Sequence, residues 1–281
     1  MRIHSLILPM AAQANHRKRF SESETMGPAL QPDEAVHWLG ELIKGGKEIL
    51  GVNLAGPGDP LAIPESCFLT LDLLAKAYPD LPITLTSVGL GAVAQADALA
   101  SKGVQRINLQ VEAVAADIIR KTYAWIRPGK RTVPLPEAAE LLLKEQEAAV
   151  AALIKAGIKV NVQTTVFPGI NDEHIPALAE KMASLGAESI TLLPFTPVTE
   201  EEQLPACAAD MFSAAEQAAS AHLTLADYEE RYLTPPSGGD FRNSSVLLPK
   251  PTKERPNVAV VSSDGMDVDL HLGQASKILI Y

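Results

Sequence analysis

Glu48-Ile49-Leu50-Gly51-Val52-Asn53-Leu54-Ala55-Gly56-Pro57-Gly58-Asp59-Pro60 is the stretch on which the fold turns. Glu48–Leu54 is an apolar run of strand length, ended by a Gly/Pro-rich turn. The next segment, 64–77, is longer and carries apolar residues at helical spacing. Strand, tight turn and helix in that order make a βα unit, the building block of a parallel sheet.

The same alternation runs outward in both directions. Upstream, a first strand is expected over 2–8, an irregular polar stretch to Gln31, and a helix over 32–44 whose Pro-Asp-Glu opening sets acidic groups at the positive end of its dipole. Downstream, strands are expected over 83–88, 105–112, 158–166 and 189–194. Helices are expected over 92–102, 137–156, after Asn171-Asp172, and over 206–221. Six βα repeats in the first 220 or so residues predict an α/β fold, a partial (βα)6 TIM-like barrel. Thr234–Pro256, with Pro235-Pro236 and Gly238-Gly239, breaks the pattern and reads as a linker or arm. Two further strands, 257–262 and 277–281, are joined through the turn signal Asp264-Gly265. The domain reading is therefore a barrel over 1–221, an arm over 222–256 and a C-terminal extension over 257–281.

The 281 residues are 47% hydrophobic and 21% charged, with a net charge of −10. That is globular composition with enough apolar content for a sizeable core. The acidic balance argues against nucleic acid as a partner, and no apolar run reaches the length of a membrane span. Cys67 and Cys207 are the two cysteines, too few for a disulfide framework, so the cytoplasm is the expected compartment. Cys67 lies within an apolar helix and reads as core.

In a βα barrel the active site lies in the loops after the strands. Gly56–Pro60 is such a loop. Its two glycines let a ligand come close to the backbone, its prolines stiffen the turn, and Asp59 offers a carboxylate to an ammonium group. The same residues also serve any tight strand-to-helix turn. Asn171 or Asp172 reads as the N-cap of the next helix. Lys121-Thr122-Tyr123-Ala124-Trp125 gathers aromatics that cover the barrel rim or wall a pocket.

The loop after the first strand reads Leu8-Pro9-Met10-Ala11-Ala12-Gln13-Ala14-Asn15-His16-Arg17-Lys18-Arg19-Phe20-Ser21. With Ala55–Leu61, Lys121–Trp125 and Pro168-Gly169-Ile170-Asn171-Asp172, at matching separations, it resembles the radical S-adenosylmethionine (SAM) barrel of the nitrogenase cofactor maturase NifB family. The likeness covers roughly residues 2–200. It implies a half-barrel, SAM as cofactor, and a four-iron cluster held by three cysteines spaced Cys-x-x-x-Cys-x-x-Cys. Laid over that pattern without gaps, the cysteine positions fall on Ala14, Lys18 and Ser21.

None of these three side chains is a thiolate, so an iron–sulfur cluster is not expected and no metal ligand is assigned. Val88 stands where the family tends to carry asparagine, in Thr86-Ser87-Val88-Gly89, and Glu112 replaces an asparagine after the fourth strand. The resemblance assigns ligand binding to Gly56, Pro57, Gly58, Asp59 and Ser87, with Lys18 and Glu112 as the residues peculiar to this chain. The family's additional cluster cysteines have no counterparts around His222–Tyr232. The tail, Asn257–Gly265 and Asp269–Ala275, resembles the opening of a NifX-type cofactor-binding domain, His271 falling on that family's histidine. A solvated hairpin histidine is the plainer reading of His271.

These features point to a cluster-less NifB-like paralogue, a binding or scaffold protein linked to iron–molybdenum cofactor or iron–sulfur metabolism. Its expected partners are a small-molecule ligand or cofactor precursor and the nitrogenase-maturation proteins. The alternative is an enzyme that uses the retained pocket for non-radical chemistry on SAM or a small anionic ligand. A purely structural protein without a ligand is the third reading, which the retained Gly56–Pro60 loop disfavours.

Overall fold

The computed structural model describes residues 1–20, 26–129, 133–198, 204–235, 259–261 and 279–280. It divides into a unit over Met1–Thr234 and a second over Pro235–Tyr281.

The first unit opens with β1 (Arg2–Ile3), β2 (Ser5–Ala11) and β3 (His16–Lys18). Then come α1 (Pro32–Lys44), β4 (Glu48–Ile49) and β5 (Val52–Pro57). Helix α2 (Pro64–Ala77), β6 (Ile83–Ser87), α3 (Ala92–Ser101) and β7 (Val104–Gln110) continue the alternation. A short α4 (Ala116–Thr122) and β8 (Tyr123–Ile126) precede the long α5 (Leu135–Lys155). Strand β9 (Lys159–Val166), α6 (Ile175–Ser184), β10 (Ser189–Pro194) and α7 (Ala209–Ser220) complete the repeats. Two short strands follow, β11 (Thr224–Leu225) and β12 (Glu230–Arg231).

The main sheet has eight parallel strands in the order β11-β10-β9-β7-β6-β5-β2-β12. Its six long strands lie in sequence order, as the βα repeats require. One face carries Leu6, Leu8, Leu54, Leu85, Ile107, Val160, Val162 and Ile190, all buried. Apolar burial of this extent is the main force behind the fold, at about 25 cal/mol per Å². Cys67 belongs to this core, fully buried on α2.

The barrel does not end at residue 221. Strand β11 pairs with the start of β10 (Ser189↔Thr224) and β12 with the start of β2 (Ser5↔Glu230), at opposite edges of the sheet. Four residues separate them, so the two edges stand within about 18 Å of each other and the sheet must curl. Two-residue strands carry no period-2 signal, which is why the segment read as an arm.

In the second unit, β13 (Ala259–Val260) pairs antiparallel with β14 (Leu279–Ile280). The expected linker beyond Pro235, the Asp264-Gly265 turn and His271 fall outside the described residues.

Candidate functional site

The loop after β2 crosses the C-terminal mouth of the barrel. It is first fixed to the loop after β5: Gly58 N donates to Ala11 O at 2.7 Å and Asp59 N to Gln13 O at 2.9 Å. A Cβ on Gly58 would lie 2.1 Å from Gln13 O. The close approach that demands this glycine is therefore made by the protein's own backbone. A Cβ on Gly56 would meet Met26 Sδ at 2.5 Å, the end of a side chain that can move. Pro57 closes β5 after a cis Gly56–Pro57 peptide.

Asp59 is 3% exposed and fully engaged. Its carboxylate accepts from Leu61 N at 2.8 Å, Val88 N at 2.8 Å and Ser87 Oγ at 2.9 and 3.0 Å. Burial raises the Asp59 pKa, and the hydrogen bonds from Val88, Leu61 and Ser87 oppose the rise. Ser87 Oγ in turn accepts from Gly89 N at 3.0 Å. The expected role of Asp59 as acceptor for a ligand ammonium is not what its bonds describe. Asp59 and Ser87 clamp the β5 loop to the end of β6, and the signal for that clamp was confounded with a binding motif.

Further along, β3 pairs antiparallel with β8, and the ribbon is extended by Arg19 N donating to Thr122 O and Arg127 N to Asn15 O, at 2.8 and 2.7 Å. The rim aromatics read from Tyr123-Ala124-Trp125 are thus one strand of this ribbon, with Tyr123 fully buried. Beyond it Phe20 packs on Phe167 and Phe195, with ring centroids 5.7 and 6.0 Å away. The loop after β2 thereby reaches from one edge of the mouth to the ends of β9 and β10.

Inside this strap Lys18 Nζ lies 2.6 Å from Glu112 Oε1, with side chains 8% and 1% exposed. Glu112 Oε2 also accepts from Thr165 N at 2.9 Å. Asn171, expected as a cap, instead ties the mouth together. Its Nδ2 donates to Glu112 O and Thr165 O, both at 2.9 Å, and its Oδ1 accepts from Phe167 N at 2.7 Å.

Deeper in the lumen lies a row of polar side chains that sequence reasoning missed. Asn53 Nδ2 donates to Thr86 Oγ1 at 2.8 Å, and Asn161 Nδ2 to Asn108 Oδ1 and Thr191 Oγ1, both at 3.1 Å. Asn108 Nδ2 donates to Glu230 of β12, across the barrel. Gln163 Oε1, in a side chain 7% exposed overall, has no hydrogen-bond partner among the described residues. The available signal was a polar residue at every second position of otherwise apolar strands: Asn53, Thr86, Asn108, Asn161 and Gln163. A cavity of about 220 Å³ opens between the loop after β2, the start of α1 and Asp59–Pro60. That is below the roughly 300–1,000 Å³ of drug-sized sites, so it takes a small group only.

A curled parallel sheet whose strand ends are crossed by the loop after β2 defines a partial α/β barrel. The chain belongs to the radical SAM superfamily, whose family pattern matches residues 14–182. It is similar to the FeMo cofactor biosynthesis protein NifB of Chlorobaculum tepidum, 32% identical over 265 residues, which cover 90% of this chain and 62% of the relative. The NifB of Frankia alni is 29% identical over 171 residues, covering 61% and 34%. The chain thus spans less than two thirds of these relatives' length. Among solved structures, SuiB of Streptococcus suis bound to S-adenosylmethionine has a TM-score of 0.61 at 13% identity, covering 80% of this chain and 50% of that one. The expected NifB-type kinship and partial barrel are both borne out. No helix among the described residues is long and apolar enough to cross a membrane.

The residues present do not fit a thiolate-held cluster. Ala14 offers a methyl group, and the Lys18 ammonium faces Glu112. Ser21 lies outside the described residues. Cys67 sits in the α2 core, its thiol pushed up to about 12 by burial and by the Asp59 charge.

Proposed function

We propose that this chain is a cluster-less relative of NifB, a binding or scaffold protein linked to FeMo cofactor or iron–sulfur metabolism. The observation that carries the reading is the buried Lys18–Glu112 pair, Lys18 standing where the resemblance sets the second cluster cysteine. A protonated amine repels iron and a carboxylate beside it neutralises the amine, so the pair fills the place with a self-satisfied ionic contact. The relatives connect the chain to cofactor assembly, with a small ligand or cofactor precursor and nitrogenase-maturation proteins as partners. SAM, if it binds, does so without iron chelating its amino and carboxylate groups, and therefore weakly.

Anaerobic reconstitution with iron and sulfide tests this. The protein is expected to stay colourless and to release no 5′-deoxyadenosine from SAM under reducing conditions. Stoichiometric iron with thiolate-to-iron absorption would overturn the reading. A second reading, a non-radical enzyme acting on SAM or a small anion in the lumen, is favoured by the polar row and the unpartnered Gln163 Oε1. SAM consumed to any product without reductant would place it first.

A further inference from the structure

The β3–β8 ribbon has a second face. Its inner side holds Lys18, Tyr123 and Ile126, all turned from solvent. Arg17 lies opposite Trp125 in the ladder, and Arg17, Arg19 and Arg127 are exposed. The Arg127 guanidinium stacks 5.5 Å from the centre of the Trp125 ring. At the adjoining end of α4, Arg120 and Lys121 are also exposed, and Arg19 Nε donates to Arg120 O at 3.3 Å. Arg120 and Lys121 have a structural role at a helix C-terminus, where cations complement the dipole. Of the three ribbon arginines, Arg19 bonds to Arg120 O and Arg127 stacks on Trp125, and both residues remain exposed.

Five of the chain's 24 Lys and Arg residues are thus gathered on one small surface of a protein whose net charge is −10. Among the described residues none of the five pairs with a carboxylate, a state that Lys47, Lys76, Lys144, Lys155 and Arg231 share singly elsewhere. Asp117 stands at the opposite end of α4, near His174. The backbone beneath is rigid, held by the strand ladder and by Tyr123, Ile126 and Ile119 in one buried cluster.

We propose that this Arg17–Arg19–Arg120–Lys121–Arg127 surface, with Trp125 at its centre, docks an acidic segment of a partner protein. Arginine forks bind carboxylates bidentately, and a Trp with Arg127 on its ring and Arg17 opposite it has the composition of interface hot spots. Nucleic acid fits less well. A three-residue strand spans only about 10 Å, room for a few phosphates, while the −10 charge of the whole chain opposes a long polyanion.

Fluorescence anisotropy of the full chain with a short labelled poly-glutamate peptide tests the proposal. Binding is expected at low salt and should fade as salt is raised. Arg17→Glu/Arg127→Glu should weaken it by about tenfold or more, while Lys76→Glu/Lys155→Glu, the same charge change at exposed positions on α2 and α5, leaves it within about twofold. Arg120→Glu/Lys121→Glu serves as a second reversal should the first lower the melting temperature. Absence of peptide binding at low salt, equal loss in the Lys76/Lys155 control, or tighter binding of single-stranded DNA of equal charge would overturn it.

Discussion

Lys18 and Glu112 are separated by most of the first half of the chain, yet their charged atoms meet at 2.6 Å inside the barrel mouth. By the resemblance read from the sequence, Lys18 stands at a cysteine position and Glu112 at an asparagine position. Either change alone would bury an uncompensated charge; together they neutralise one another. The two departures are therefore one structural event, and the residues around them, Thr165 and Asn171, hold Glu112 in place for it.

The pair should show strong non-additivity. Lys18→Met and Glu112→Gln should each destabilise the fold by about 3–5 kcal/mol, because each leaves a buried charge unpaired. The double variant should recover most of that loss. Denaturant unfolding of the four proteins checks it, and additive costs would mean that the contact contributes nothing specific.

Restoring the cluster should require four substitutions rather than three. Ala14→Cys/Lys18→Cys/Ser21→Cys leaves the Glu112 carboxylate without its cation. Adding Glu112→Asn removes that buried charge, so iron bound per chain after reconstitution should rise from the parent to the triple to the quadruple variant. Equal iron in the last two would separate Glu112 from the cysteine positions.

The two glycines of the β5 loop should differ sharply. Gly58→Ala drives a Cβ to 2.1 Å from a backbone carbonyl, which neither chain can yield cheaply. A loss of about 2–4 kcal/mol is expected. Gly56→Ala meets only the tip of Met26 and should cost about 1 kcal/mol or less. Melting temperatures of the two variants decide it.

Asp59 should leave a mark on the pH dependence of stability. Its folded pKa is raised above the ordinary value of 3.8, with burial as the largest cause. Between the unfolded and folded pKa values the native state binds more protons, so this group's contribution is full below 3.8 and is lost as pH rises through the folded pKa. Asp59→Asn removes that slope. It also sets an amide donor against the Val88 N–H or Ser87 hydroxyl, costing about 1–3 kcal/mol. Unfolding free energies of the two proteins across acid pH should converge in slope only above the folded pKa.

The amino-acid sequence by itself determined the βα alternation and the NifB-type kinship, because both reside in local periodicity and in motifs contiguous along the chain. Its resemblance to that family is also what sets Ala14, Lys18 and Ser21 against the expected cysteine positions. Tertiary structure alone decided what those residues do. Asp59 is a clamp rather than a free acceptor, since Ser87 and Val88, nearly thirty residues away, take up its lone pairs. Gly58 is required by Gln13, and Asn171 by Glu112 and Thr165. The closing strands at 224–225 and 230–231 are too short to show a period, and exist because the sheet's two edges lie close enough for one short segment to reach both. Lys18 and Glu112 are each an isolated substitution in sequence and become a pair only when the loop after β2 is laid across the strand ends.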